Sequence, residues 1–317
     1  MSAQQTAFAA RRCLALLVPL AMMLVGARPA DGQNALRIAQ KEGAVLVQLG
    51  DQPLLEYQAA PKPRKPYVKQ WFSPGGVGVL RDAPADHLHH HGVMFAVAVD
   101  GVDFWSEHAK CGWQKGRPIA AASTSSRGAQ ATARFTQPID WLDPAGEKPL
   151  LQERRTIEVH RLPDVPATLV SWRCALAAPE GKDSVALGGS PYFGLGARFV
   201  ASMDTGGQFV NAEGKTGVEA TNNARSAWCA YSAVADGKPV TVAMFDDPAN
   251  ARHPATWFTM EKFAYLSATL HLNQQPVTIR AGQPLVLRYG LALWDGKADK
   301  AQIEQAYRRW LAIGAEK

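Results

Sequence analysis

Short apolar runs, many of them alternating with polar residues, cover most of the chain, and turn residues separate them. The runs at 44–49 and 54–57 flank Gly50-Asp51, a pattern that predicts a β-hairpin. Residues 156–160 alternate polar and apolar side chains, which is typical of a strand in a sheet with one wet face. The dominant period is therefore that of β-structure.

Further predicted strands follow the same pattern. They occupy residues 67–72, 93–99, 119–126, 129–141, 151–160, 168–177, 226–234, 240–245, 256–260, 263–272 and 285–293. The segment 60–66 contains three prolines, which lack the donor that a central strand needs, so we predict extended chain there. No internal repeat or domain boundary interrupts the pattern, which predicts an all-β fold: one large antiparallel β-sandwich of the supersandwich kind over residues 28–317.

Only the C-terminal segment has a convincing helical pattern. Asp299 can cap this helix, and Gly314 is predicted to end it. The apolar stripe consists of Ile303, Ala306, Tyr307, Trp310 and Leu311. A single stripe of this kind predicts that the helix packs against the sheets.

The first 27 residues have the pattern of a secretory signal. Arg11-Arg12 precede an apolar run from residue 13 to 25, and the small residues Gly26-Ala27 follow. The run is too short for a membrane anchor, and no later stretch is apolar enough to span a bilayer. We therefore predict removal of residues 1–27 and a periplasmic or secreted protein.

The composition of the chain after residue 27 limits the kinds of partner that the protein can bind. Without Arg11 and Arg12, 32 basic residues face 28 acidic ones, a net charge of +4. No basic cluster interleaved with aromatic residues accompanies this small excess, so no nucleic-acid partner is predicted. The three cysteines Cys111, Cys174 and Cys229 allow at most one internal disulfide, and the sequence does not choose the pair.

Histidine is concentrated in one segment. Five of the eight histidines lie between residues 87 and 108, namely His87, His89, His90, His91 and His108. Imidazole near neutral pH transfers protons and binds metals, and Asp86 can orient its neighbour His87. This segment is the predicted functional site.

A hairpin after the segment supplies a predicted geometry. Asp100-Gly101 is a type I′ turn signal, so Val99 should pair with Val102. A continuous ladder would then pair Met94 with Glu107, Val93 with His108 and His90 with Cys111. Alternation would place His87, His89, His91 and His108 on one face and His90, Glu107 and Cys111 on the other. A bulge in the hairpin would exchange the two sets of residues between the faces. Either set could form an acid–base pair or hold a divalent metal. As metal ligands we select the first set: His87, His89, His91 and His108.

Several stretches carry a resemblance to a known family. They are Leu80-Arg81-Asp82, Asp86-His87-Leu88-His89-His90-His91-Gly92, Gly101-Val102-Asp103-Phe104-Trp105, residues 191–198, residues 245–250 and Trp257-Phe258. Together they resemble the secreted bacterial PmoA-type "methane oxygenase" family, in which the histidine segment commonly reads Asp-His-Pro-His-His, a variable residue and Gly. Leu88 replaces that proline here and His91 stands at the variable position, so the resemblance favours His87, His89 and His90.

The resemblance implies a galactose-mutarotase-like sandwich, and it leaves three functions open. The first is a carbohydrate-active enzyme (a hydrolase, lyase or epimerase) that acts on a small molecule or oligosaccharide. The second is a copper- or iron-dependent oxygenase, as the family label implies. The third is a non-catalytic carbohydrate-binding module.

The enzyme hypothesis assigns roles to named residues. Proton transfer is assigned to the histidines with an acidic partner: His87, His89, His90, Glu107 and Asp86. Stacking and hydrogen bonding to the substrate are assigned to Arg81, Tyr192, Arg198, Trp105, Trp257 and His253. The glycine-punctuated segment 190–199 lacks the flanking strand and helix of a dinucleotide site, so no nucleotide cofactor is predicted.

Overall fold

A computed structural model describes residues 35–60, 64–260 and 262–315. Antiparallel strands dominate it, which confirms the all-β prediction. The predicted signal segment and three residues of the proline-rich stretch lie outside the described residues. None of the described helices has the length and apolarity needed to cross a membrane.

The strands and helices have the following bounds. The first eleven strands are β1 (Leu36–Lys41), β2 (Ala44–Leu49), β3 (Gln52–Gln58), β4 (Tyr67–Trp71), β5 (Val93–Ala96), β6 (Ala98–Val99), β7 (Val102–Asp103), β8 (Trp113–Gly116), β9 (Ala121–Arg127), β10 (Gln130–Leu142) and β11 (Pro149–Arg161). The remaining strands are β12 (Thr168–Ala177), β13 (Ser184–Gly188), β14 (Gly194–Arg198), β15 (Gln208–Asn211), β16 (Trp228–Ala235), β17 (Lys238–Asp246), β18 (Thr256–Thr259), β19 (Tyr265–Thr269), β20 (Val277–Arg280) and β21 (Leu285–Asp295). The helices are α1 (Gly217–Thr221) and α2 (Lys300–Ala315).

Three sheets are formed. The first has the order β1-β2-β3-β4-β5-β14-β19-β18. The second has the order β15-β16-β17-β21-β12-β11-β10-β8, and β9 pairs with β10 beside it. A smaller sheet has the order β20-β13-β6-β7.

The two large sheets enclose one apolar core, as expected of a β-sandwich. Tyr57 of β3 lies with its ring centroid 5.1 Å from that of Phe135 of β10. Farther along, the Phe95 ring of β5 lies 6.1 Å from Trp141 of β10. Buried side chains of alternating strand positions thus meet across the sandwich.

A buried ion pair in this core links the two sheets. Arg155 donates from Nε to Oε1 of Glu153 at 2.7 Å and from Nη2 to Oε2 at 2.9 Å. Its Nη1 donates to the carbonyl of Pro66 at 2.7 Å, and Trp141 donates to Glu153 at 2.9 Å. Both charged side chains are fully buried. Burial of this pair is tolerated because every charge meets hydrogen-bond partners.

Helix α2 covers the outer face of the second sheet, where Ile303 and Trp310 belong to a second apolar cluster. Its start is the predicted one: the backbone N–H of Gln302 donates to Asp299 Oδ1 at 2.8 Å, and the Gln302 side chain accepts from the Asp299 N–H at 2.9 Å. The predicted end at Gly314 is wrong, since the helix continues to Ala315. A Cβ at 314 would overlap the Arg288 guanidinium, so this glycine serves a close approach.

The predicted tight turn is confirmed. Asp100 and Gly101 have φ values of 48° and 83°, as a type I′ turn requires, and Val99 pairs with Val102. The same Asp-Gly pair forms the turn between β16 and β17, where Asp236 and Gly237 have φ values of 47° and 83°.

The predicted continuation of that first hairpin is wrong. Beyond Ala98↔Asp103 the ladder ends, and β5 instead pairs with β14, so that Met94 lies opposite Gly196 and not opposite Glu107. The Asp103 side chain explains the departure, because its Oδ1 accepts from the backbone N–H of Trp105 at 2.6 Å and turns the chain away. The pairings proposed for Val93 with His108 and His90 with Cys111 fail for the same reason.

A cavity beside the histidine loop

The histidine segment is a closed loop, which we call the histidine loop (residues 82–91). A backbone bridge between Asp82 and His91 closes it, and the N–H of Ala83 donates to the carbonyl of His90 at 2.9 Å. Turns within the loop join Pro84 to His87 and His87 to His90. Because these residues turn and do not alternate, the predicted division of the histidines between two faces is wrong.

Glycine holds the loop against the first sheet. Gly92 has a φ of 34°, and a Cβ there would overlap the carbonyl of Val68 on β4. The Gly92 N–H donates to Arg81 O at 3.1 Å, and its carbonyl accepts from the Arg198 N–H of β14 at 2.9 Å. The loop is therefore held against β4 and β14, which are inner strands of the first sheet.

A cavity of about 160 Å³ opens beside the histidine loop. Its described walls are His87, His89, His90, Trp105, Tyr192, Phe258, Met260, Phe263 and Tyr265. Depressions of about 350, 400 and 420 Å³ lie elsewhere, but their described walls contain neither histidine nor an aromatic side chain. A further depression of about 240 Å³ includes His160 beside apolar side chains, but its described walls contain no phenylalanine, tyrosine or tryptophan. Among these, the cavity of about 160 Å³ is the one that combines three histidines with such aromatic side chains, a lining typical of ligand sites.

Three of the predicted histidines share one wall of this cavity. The rings of His87 and His90 stack with centroids 4.5 Å apart, and His89 meets His90 edge-on at 4.7 Å. His90 also lies 5.3 Å from the ring of Tyr265. The structure thus brings together His87, His89 and His90.

His90 is uncharged in this setting. It is buried, and its Nδ1 has no hydrogen-bond partner among the described residues. Burial, reinforced by the neighbouring His89 and His87, lowers the pKa of His90 to about 2. Burial likewise lowers the pKa of His89. The cavity wall therefore offers neutral imidazole at physiological pH.

We expect the buried His90 to make stability fall with acidification. An unfolded chain protonates an ordinary imidazole near pH 6.5, whereas His90 in the fold, with a pKa of about 2, does not. The unfolded state thus binds more protons below pH 6.5, and the free energy of unfolding should drop by up to about 1.4 kcal/mol per pH unit. Urea titrations between pH 6.5 and 4.5 measure this slope. Replacement His90→Gln should flatten it and the exposed Leu88→Ala should not; equal slopes would contradict the assignment.

His91 has a different environment from the other three. Its Nδ1 lies 2.6 Å from Asp82 Oδ1, and its Nε2 lies 3.2 Å from Glu107 Oε1. Burial alone would lower the pKa of His91, but the two carboxylates outweigh it and the net shift is upward. Both ring nitrogens are engaged, and His91 is not among the described walls of the cavity.

Glu107, predicted as a proton-transfer partner, belongs to this second group. It lies 2.8 Å from Nζ of the buried Lys65 as well as 3.2 Å from His91. Burial opposes ionisation of Glu107, but His91 and Lys65 more than compensate and lower its pKa to about 2. The carboxylate stays ionised and is held by cations, an arrangement suited to fixing the loop.

Asp86 is the acidic residue that the structure places beside a cavity histidine. Its Oδ2 lies 3.0 Å from His87 Nδ1 and accepts from Nη2 of Arg198 at 3.1 Å. The Arg198 guanidinium lies 3.7 Å over the ring of Phe263, which lines the cavity. Hydrogen bonding from His87 lowers the pKa of Asp86, with Arg198 adding to the shift. An ionised carboxylate thus fixes the orientation of His87, as in general-base dyads.

The other predicted binding residues divide into two groups. Trp105 and Tyr192 line the cavity, with ring centroids 5.3 Å apart. Arg81 instead lies 3.5 Å from Asp204, Trp257 donates to the carbonyl of Ser226 at 2.8 Å, and His253 lies 2.7 Å from the buried Asp246. These three are not among the described cavity walls.

Four cavity residues were missed from the sequence: Phe258, Met260, Phe263 and Tyr265. Each pair is spaced by two residues, the spacing that places side chains on one face of extended chain. That spacing was the available signal. Its meaning depends on the sheet order, in which β19 pairs with β14 and β18 pairs with β19.

The predicted metal ligands do not converge. Among the described residues, the group of three or more ligand atoms within 4.8 Å of one another is Asp103, His108 and Cys111. His87, His89 and His91 are absent from it because the hairpin that should have aligned them with His108 ends at Asp103. All three described cysteines are free.

A protein-family model matches most of this chain. A model described as a family of unknown function, DUF6807, matches residues 44–308. The chain belongs to this family. The matched region includes every described wall of the cavity in this DUF6807 protein.

Two further comparisons were with curated proteins and with solved structures. No curated protein matches. Among solved structures, the Slr1438 protein from Synechocystis sp. PCC 6803 is similar at 9% identity and a TM-score of 0.38, over 82% of this chain and 96% of that one.

Proposed function

We propose that this DUF6807 protein is an enzyme that transfers a proton on a sugar, with one sugar ring bound in the cavity and the Asp86–His87 pair acting as the acid–base group. The observation that carries the proposal is an imidazole oriented by a carboxylate on the wall of an aromatic cavity. Secretion by residues 1–27 and the resemblance to the PmoA-type family, whose relatives are commonly found among carbohydrate-degradation genes, belong to the same proposal.

The aromatic lining supports a sugar as the ligand. Tyr192, Phe258 and Phe263 line the cavity, and aromatic rings are the side chains on which a pyranose stacks its C–H face. The volume of about 160 Å³ is below the roughly 300–1,000 Å³ of sites that enclose drug-sized ligands. One ring therefore fits better than a chain of several.

The titratable groups support proton transfer. Asp86 holds His87 through Nδ1, and the His87 side chain lines the cavity, so Nε2 is the ring nitrogen that we assign to proton transfer. His89 and the neutral His90 lie beside it as hydrogen-bonding groups for hydroxyls. A single histidine base of this kind is suited to removing a proton next to a carbonyl, as in epimerisation or elimination.

Two-carboxylate hydrolysis is less well supported. Glycosidases of that kind flank the scissile bond with two acidic side chains. No carboxylate is among the described walls of the cavity, and Asp86 reaches it through His87. Epimerase or lyase chemistry is therefore preferred to hydrolysis.

The test uses the protein without residues 1–27, incubated in D₂O with a panel of mono- and oligosaccharides and their keto and uronic acid forms. We expect a carbon-bound hydrogen of at least one sugar to exchange with deuterium from the solvent. Proton NMR should detect loss of one C–H signal, or an elimination product, in at least one sugar. Oxygen consumption without exchange would instead support the oxygenase. Saturable sugar binding without exchange or products would support the binding module.

A further inference from the structure

A second group of chemically active side chains lies outside the cavity, in the loop after the first hairpin, which we call the post-hairpin loop (residues 103–112). The Gly112 N–H donates to the carbonyl of Asp103 at 2.8 Å, and the Cys111 N–H donates to the carbonyl of His108 at 2.9 Å. These bonds close the loop and bring Asp103, His108 and Cys111 to one side of it.

The donor atoms of these three residues converge. All lie within 4.8 Å of one another, and Cys111 Sγ is 3.9 Å from Asp103 Oδ2. Bonds of roughly 2.0–2.3 Å to a tetrahedral zinc ion place its ligand atoms roughly 3.3–3.8 Å apart. The longest of the three separations therefore exceeds the zinc geometry by no more than about 1.5 Å.

The backbone already orients the carboxylate. Oδ1 of Asp103 accepts from the N–H groups of Trp105 at 2.6 Å and Ser106 at 3.3 Å, which leaves Oδ2 directed toward Cys111. Arg64 donates to the carbonyl of Cys111 at 2.6 Å and fixes that end of the loop. Supporting hydrogen bonds of this kind are typical around metal ligands.

We propose that Asp103, His108 and Cys111 bind one divalent transition metal of the Zn²⁺ class. A thiolate, a neutral imidazole and a carboxylate together balance a charge of +2, and sulfur with nitrogen selects Zn²⁺ over Ca²⁺ or Mg²⁺. Cys111 is buried whereas His108 is exposed, so the metal has a path of entry and a fourth position for water. Binding releases the thiol proton.

The site would fix a wall of the cavity. The post-hairpin loop carries Trp105, which lines the cavity, and Glu107, which contacts His91. A metal at the loop ends restrains both residues without touching the cavity itself. The metal site does not depend on the function proposed for the cavity.

Cobalt titration of tag-free protein without residues 1–27 tests the proposal. We expect one equivalent of Co²⁺ to produce a thiolate-to-cobalt charge-transfer band, which Zn²⁺ then displaces. Replacement His108→Ala should weaken binding at least about 100-fold, because loss of even a supporting residue costs roughly 10–100-fold. Cys111→Ser should abolish the band, and Lys110→Ala, an exposed neighbour in the same loop, should leave both unchanged.

The variants also define the contrary results. Because His108 is exposed, its replacement does not disturb the core, so a failure to fold cannot account for a loss of metal binding in His108→Ala. Absence of the charge-transfer band in the unmodified protein overturns the proposal. So does affinity that survives His108→Ala but is lost in His89→Ala, since the metal would then lie in the histidine loop.

Discussion

We expect Arg155→Ala to lower the free energy of unfolding by about 3–5 kcal/mol, since it leaves the buried carboxylate of Glu153 without its cation. The loss includes the hydrogen bond to the carbonyl of Pro66 and the packing of the guanidinium over Trp172 at 4.5 Å. Urea unfolding followed by tryptophan fluorescence measures the change. The prediction follows from burial, because the same charge pair in water would contribute little.

Arg117 provides a matched control. It makes the same two-pronged contact with Asp140, at 2.7 and 2.8 Å, but its side chain is 56% exposed. Arg117→Ala should therefore cost no more than about 1 kcal/mol. The double replacement of Glu153→Gln with Arg155→Met should recover much of the loss, as it removes both charges together. Equal losses for Arg155→Ala and Arg117→Ala would show that the buried pair does not hold the sheets.

We expect His87→Gln to reduce kcat for the exchanging sugar by about 10²–10⁴-fold, the usual contribution of a positioned acid–base group. Glutamine keeps the size and hydrogen-bonding capacity of the side chain but cannot carry the proton. Asp86→Asn should give a smaller loss and should move the pH–rate profile, because the imidazole loses the carboxylate that orients it. Steady-state kinetics between pH 5 and 9 measure both effects.

The controls for this prediction are built into the chain. The His87 side chain is 35% exposed, so His87→Gln should leave the melting temperature nearly unchanged. His271→Asn replaces a histidine that is not among the described cavity walls and should retain full activity. Retention of activity in His87→Gln would remove His87 from the chemistry, and loss of activity in His271→Asn would show that the assay reports stability.

Local features of the fold were predictable because they depend on neighbours in sequence. The apolar run at 168–177 predicted β12 with its exact bounds. Asp100-Gly101 predicted its turn because few residues accept positive φ at two successive positions. Asp299 caps the C-terminal helix as expected, by accepting from the backbone N–H of Gln302. Each of these features depends on residues that lie close together in the sequence.

The candidate site was predictable only in part. The sequence identified the histidines and Asp86, because their chemistry is visible in composition. Their arrangement depended on contacts between distant segments: β5 pairs with β14 about a hundred residues later, and the far wall comes from residues 258–265. A single side chain, Asp103, ended the hairpin and so separated His108 from the other histidines. The pattern of residues near the hairpin does not indicate that its ladder ends at Asp103.

Gly196 of β14 lies against Tyr265, and a Cβ at position 196 would overlap the hydroxyl of that side chain. The phenol ring of Tyr265 can occupy its position only because residue 196 has no side chain, and Tyr265 forms part of the cavity wall. The absence of a Cβ at position 196 thus sets the depth of the cavity that is available to a ligand. Chains of this fold with a larger residue at that position would have a shallower recess even with every imidazole retained.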